Sequence, residues 1–236
     1  MERRIYRIGT RPSNLAIKQV EEVIEKLKKA NINIKYEIIK IETRGDIDKK
    51  TPLSLVEKTD FFTDKIEEKL LNKEIDFAVH SAKDLPDRIK GGLLIVAITE
   101  SLDPYDAFVS RNGEKLSELP YGAKIGTSSE SRKKQLKNFR NDFEIIDIRG
   151  NIEERIGLIE RLGLDGIIIA KCALLRLNLK NFITETIPFE IIKPHSLQGC
   201  LAIEIRKEDN ELKDMFKLID ERYGERKGIY NWCWSR

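Results

Sequence analysis

Residues 79–86 read Val-His-Ser-Ala-Lys-Asp-Leu-Pro, an acid beside a base with a histidine and a serine just upstream. The run before them, Asp76-Phe77-Ala78-Val79, is apolar and β-prone and reads as a buried strand. Pro86 then turns the chain away from it. His80, Ser81, Lys83 and Asp84 are thereby placed just past the C-terminal end of a strand, where open α/β sheets bind ligands. A Lys-Asp step is also what an ordinary solvated ion pair looks like. The functional reading gains weight from arginines that recur at the ends of other strands.

Those arginines are Arg11, Arg44, Arg132, Arg149, Arg155 and Arg176. Arg11 lies between a strand over residues 5–8 and a helix for which Ser13 is placed as N-cap. Backbone N–H groups at a helix start favour an anion, and an arginine adds a bidentate donor; a surface arginine in a loop is the plainer alternative. Arg44 follows a strand over 34–41, in Thr43-Arg44-Gly45-Asp46. A second turn of the same kind, Gly126-Thr127-Ser128-Ser129, precedes a helix over 132–139, with the hydroxyls readable as anion donors or as simple caps. Arg149 ends a strand over 144–148, in Arg149-Gly150-Asn151. Asn151 and Glu154 have the spacing of a capping box for a helix over 152–162. Arg155 then falls in that helix's first turn, on the wrong side of the helix dipole, and such local conflicts tend to mark function.

The elements that must carry these residues alternate strand and helix twice over. A crossover is expected near Asp103-Pro104-Tyr105-Asp106 and a return near Leu197. The apolar run 166–170 reads as a central parallel strand, and Phe61-Phe62 reads as core at the start of a helix reaching Asn72. Residues 48–60 show no periodicity and read as a mobile loop. The fold class expected is therefore α/β: two domains with a cleft between them, joined by two crossover strands. Residues 1–101 with 198–221 would form one domain and 102–197 the other. A cleft lined by several arginines around one aspartate suits a ligand with several carboxylates.

The chain has 236 residues, 40% hydrophobic and 35% charged, with a net charge of +3 and both signs balanced. Nothing in this demands a nucleic-acid partner. No apolar run approaches the length of a membrane span, and the N-terminus has no signal-peptide pattern. Three cysteines without a CxxC spacing argue for a reducing cytoplasm and against a disulfide framework or zinc site.

Taken in order, the stretches 7–11, 13–16, 43–46, 79–86, 103–108, 126–129, 149–151 and 198–199 resemble the porphobilinogen deaminase (hydroxymethylbilane synthase) family. The resemblance implies two domains with the periplasmic-binding-protein fold and a third that carries the cofactor. It implies head-to-tail joining of four porphobilinogen units, with ammonia released at each step, on a dipyrromethane primer held by a cysteine. Asp84, with Lys83, would be catalytic: the aspartate contacts pyrrole nitrogens and stabilises the cationic intermediate. Arg11, Arg132, Arg149, Arg155 and Arg176 would bind acetate and propionate arms. Ser13, Ser81, Thr127, Ser128, Ser129, Asn151, Gln198 and Gly199 complete the implied binding set, with no metal. The partners implied are porphobilinogen and linear pyrrole chains, with the protein a monomer. A non-catalytic two-domain protein binding a polycarboxylate is the competing expectation.

Three departures from the family pattern stand out. Glu130-Ser131-Arg132 replaces the usual Leu-Arg-Arg. Glu57-Lys58-Thr59-Asp60 replaces a glycine-rich stretch. Residues 222–236 read as a truncated remnant of the third domain or a tail outside the family pattern, so the attachment cysteine is expected to be missing, with Cys233 the one thiol available there.

Overall fold

The computed structural model describes residues 4–48, 51 and 59–222. Most of the segment 48–60, read above as a loop, and the tail 223–236 with Cys233 lie outside the described residues. In chain order the elements are β1 (Ile5–Thr10), α1 (Asn14–Lys29), β2 (Lys35–Lys40), α2 (Arg44–Ile47), α3 (Asp64–Leu71), β3 (Phe77–Ser81), β4 (Leu93–Ile98) and β5 (Asp106–Ser110). There follow β6 (Lys124–Gly126), α4 (Glu130–Phe139), β7 (Glu144–Ile146), α5 (Ile152–Arg161), β8 (Gly166–Ala170), α6 (Lys171–Arg176), β9 (Glu185–Ile187), β10 (Leu201–Arg206) and α7 (Asn210–Lys217). Single 3-10 turns stand at Asp60–Phe62 and Ala82–Asp84.

These elements form two α/β units. One takes the described residues of 1–47, 58–101 and 200–236, the other those of 48–57 and 102–199. The sheet of the first runs β2-β1-β3-β10-β4. β1 is parallel to β2 and β3, while β10 is antiparallel to β3 and β4. Side chains of a strand alternate between faces, and both faces here are covered. Phe77 and Val79 of β3 join Leu201, Ile203 and Ile205 of β10 in a core with Val20, Val23, Ile24 and Leu27 of α1 and Phe216 of α7. Phe77 and Phe216 meet edge to face at 4.8 Å. Ala78 faces the other way, into a smaller core with Ile66 and Leu70 of α3, Ile41, Ile75 and Leu93. The same parity puts His80 and Glu204 on the α3 side, two polar residues inside strands that are buried on both faces.

The second unit's sheet runs β7-β6-β8-β5-β9. The apolar strand β8 is central, as its composition requires, but it is parallel to β6 alone and antiparallel to β5. Mixed pairing arises because β5 runs opposite to the βαβ strands beside it, and an all-apolar run reports burial rather than direction. Strand β9 has no apolar signature and escaped the sequence reading. Phe61 and Phe62 do not open α3: Thr59 caps a 3-10 turn containing them, and the helix begins at Asp64.

Gly166 opens β8 where a methyl group would meet the Phe108 ring at 2.4 Å and the Val109 carbonyl at 2.6 Å. A carbonyl in a paired strand cannot move aside as a side-chain tip can. Gly166→Ala is therefore expected to cost about 1–3 kcal/mol, read by urea denaturation. Among the described residues no helix is long and apolar enough to cross a membrane, and no His/Cys/Asp/Glu group has metal-binding geometry.

Candidate active site

In the first unit, β1 and β3 end beside the N-terminus of α1, around a cavity of about 70 Å³. Arg11, Ser13, Ser81 and Asp84 line it, together with Gln19, Phe62, Thr63 and His80. Strand β3 runs two residues further than its sequence suggested, so His80 and Ser81 are held by the sheet rather than by a loop. Asp84 closes the 3-10 turn that follows, with the buried Pro86 just beyond. It is exposed, and among the described residues no group bonds its carboxylate. Lys83 is half-buried and does not line the cavity.

Ser13 caps α1, its hydroxyl accepting from the Ala16 N–H at 3.2 Å. That leaves the positive end of a 16-residue helix at the cavity. Ser81 Oγ accepts from Gln19 Nε2 at 2.7 Å. Arg11 is fixed rather than loose. Its Nε lies 3.0 Å from Asp46 Oδ1, its Nη2 bonds the same carboxylate, and its guanidinium sits 4.6 Å above the Phe62 ring. Nη1 makes no hydrogen bond among the described residues. The Phe62 ring reaches this position because residue 45 is glycine; a Cβ there would lie 2.1 Å from it. Arg44 does not face this cavity and pairs with Asp60 at 2.6 Å and Asp64 at 2.8 Å.

Burial pushes the Asp46 carboxyl up, but the Arg11 guanidinium and the Thr43 hydroxyl and amide outweigh it, and the group titrates below its usual range. A carboxyl depressed by folding adds stability above its unfolded value and loses it as pH falls through the folded one. Asp46→Asn is thus expected to lower stability at neutral pH. The gap to the parent should close as pH falls below about 4, the ordinary aspartate range. Denaturation midpoints at pH 7 and pH 3 check this.

The second unit gives the expected binding residues mostly structural partners. Arg132 is bound bidentately by Asp106, Nε to Oδ2 at 2.8 Å and Nη2 to Oδ1 at 2.6 Å, with the aspartate buried. Gln198 Nε2 donates to the same Oδ1 at 2.7 Å and to the Pro104 carbonyl at 2.9 Å. Arg176 is buried and donates to the Gly199 carbonyl at 2.7 Å, where Gly199 has φ +86°. Ser128 Oγ donates to the Ile148 carbonyl and accepts from its N–H, tying two loops together. Ser129 caps α4, and Thr127 Oγ1 accepts from the Ser129 N–H at 3.4 Å. Asn151 and Glu154 form the capping box read from their spacing. Arg149 donates to the carbonyls of Thr51 and Asp48, and Arg155 Nε to that of Gly150 at 2.8 Å. The guanidinium of Arg155 reaches back past the helix start, which answers the dipole conflict with a carbonyl.

A family model described as porphobilinogen deaminase, dipyromethane cofactor binding domain, matches residues 6–214. The chain belongs to the porphobilinogen deaminase family. Curated deaminases of Natranaerobius thermophilus and Desulforamulus reducens are 45% and 40% identical to it, over 91% and 90% of this chain and 70% and 69% of their own. Among solved structures, an ancestral cationic amino-acid solute-binding protein matches with a TM-score of 0.53 at 13% identity, covering 91% of this chain and 88% of that one. This places the fold with the two-domain periplasmic binding proteins.

The residues around the cavity fit the deaminase cofactor. A dipyrromethane offers pyrrole N–H donors, and Asp84 offers an acceptor with no partner among the described residues. It also carries carboxylates, which Ser13, Arg11 Nη1 and the α1 N-terminus suit. Gln19 and Phe62 also line this cavity and were not among the residues expected from sequence. Gln19 gave a usable signal, a polar residue within the apolar stripe Ala16, Val20, Val23. Phe62 gave none, since adjacent aromatics read as core, and here Phe61 is buried while Phe62 is only partly so.

Proposed function

We propose that this chain joins four porphobilinogen units head to tail into hydroxymethylbilane, releasing ammonia at each addition, with Asp84 as the catalytic group. The observation that carries this is a carboxylate with no partner among the described residues, in a cavity that Arg11, Ser13, Gln19 and Ser81 also line. As ammonia departs, positive charge develops on the pyrrole, and a preorganised carboxylate stabilises it. When bound, the dipyrromethane supplies the pyrrole carbon from which the chain grows. Arg11, Ser13 and Ser81 hold carboxylate arms from the first unit. Arg149, Arg155, Asn151, Thr127 and Ser129 do so from the second. Arg132, Arg176, Gln198, Gly199 and Ser128 shape that unit, given the buried bonds they already make. We place the protein in the cytoplasm as a monomer, in keeping with Cys172 and Cys200, which are buried and not joined in a disulfide.

Ammonia release from porphobilinogen tests this directly. Steady release that depends on Asp84 supports it. Tight polycarboxylate binding with no ammonia released would favour the binding-only reading.

A further inference from the structure

One buried pair behind the cavity has no part in the function described above. His80 on β3 is 6% exposed and lines the cavity. Its Nε2 lies 3.1 Å from Oε2 of Glu204 on β10. The strand register sets Ala202 opposite His80 and Glu204 opposite Ala78, so the two form a diagonal on one face of the sheet. Glu204 is 0% exposed, and its Oε1 has no hydrogen-bond partner among the described residues. The neighbouring charge is no help. Glu67 of α3 is also buried, accepts from Thr63 Oγ1 at 2.8 Å and the Lys90 N–H at 3.3 Å, and is pushed above its usual range by burial and then by Glu204.

A carboxylate sealed from water, with one oxygen unbonded and a second acid nearby, is tolerated only when its charge is balanced. The base in contact with it is His80. One extra proton held between Oε2 and Nε2 balances the pair. Whether that proton rests on the carboxyl or on the ring, the other ring nitrogen then carries a hydrogen. That nitrogen, Nδ1, has no partner among the described residues and is not among the polar atoms cut off from solvent. His80 itself is one of the residues that line the cavity.

We propose that His80, held by Glu204, is a substrate-binding residue whose Nδ1–H donates to a carboxylate arm of the pyrrole bound beside Asp84. A pyrrole N–H is itself a donor and cannot be what this group binds. The inference rests on the porphobilinogen reading of the site.

The test uses the full chain labelled with ¹⁵N in its two histidines, His80 and His195. The Nδ1–H signal of His80 is expected in the parent, and porphobilinogen should shift it. 2-Aminomethylpyrrole, which lacks the carboxylate arms, should not. Glu204→Met keeps much of the length but offers Nε2 neither the balancing proton nor an amide donor that would keep the hydrogen on Nδ1. It should lose the Nδ1–H signal and bind porphobilinogen about ten- to a hundredfold more weakly, as for a hydrogen bond to a charged group. A circular dichroism spectrum and denaturation transition like the parent's would show that the variant is folded, and His80→Asn should weaken binding to a similar degree. Absence of Nδ1–H in the parent, or an equal shift by the armless pyrrole, would overturn the proposal. Neither readout needs turnover. A His80 response without ammonia release would sink the catalytic reading alone, and ammonia release without a response would sink this one.

Discussion

Asp84→Asn is expected to slow ammonia release from porphobilinogen by about a hundredfold or more while leaving the protein as stable as its parent. The two halves of this expectation have separate grounds. The amide keeps the size and shape of the carboxylate. Asp84 is exposed and bonded to nothing among the described residues, so the change in stability should stay within about 0.5 kcal/mol. The charge is what disappears. Removing one preorganised electrostatic contact to a developing charge typically costs about a hundred- to a thousandfold in rate. Because that contact strengthens only as the charge develops, kcat should fall far more than KM changes. Equal rates for variant and parent, in a preparation that releases ammonia, would remove Asp84 from the chemistry.

The sequence made the first unit's site more legible than the second's, for a physical reason. Residues at the end of a parallel strand, next to a helix start, are placed by backbone geometry alone. Arg11, Ser13, Ser81 and Asp84 needed nothing more than the strand–turn–helix pattern, and all four line one cavity. Partners that come from far along the chain leave no such trace. Asp106 reads as an ordinary crossover residue, yet it binds Arg132, 26 positions away, and Gln198, 92 away. Asp46 meets Arg11 across 35 residues. An arginine near a strand end therefore looks the same in sequence whether it waits for a ligand or is already held by a buried acid. Element edges blurred for a similar reason. The ladder to β10 extends β3 through His80 and Ser81, and that pairing is a tertiary fact.

Asp106→Ala is the expected large loss of stability, about 3–5 kcal/mol, because it removes a buried carboxylate and strips a largely covered arginine of its countercharge. Side-chain exposure is 1% for Asp106 and 12% for Arg132, so water cannot take the place of the lost carboxylate. Gln198 loses an acceptor in the same change, although its bonds to the Pro104 and Tyr105 carbonyls remain. A double variant separates the charge effect from the lost packing. With Arg132→Met added, no unpaired charge is left, and much of the stability should return, since replacing a buried pair by apolar groups is often close to neutral. Guanidinium denaturation of the parent, both single variants and the double gives the coupling energy directly. The same series decides what Arg132 is for. If its charge serves the fold, porphobilinogen binding should follow stability, with the double variant binding better than Asp106→Ala. If Arg132 instead waits for a substrate carboxylate, Asp106→Ala would tighten porphobilinogen binding at little cost in stability, and the double variant would lose that gain.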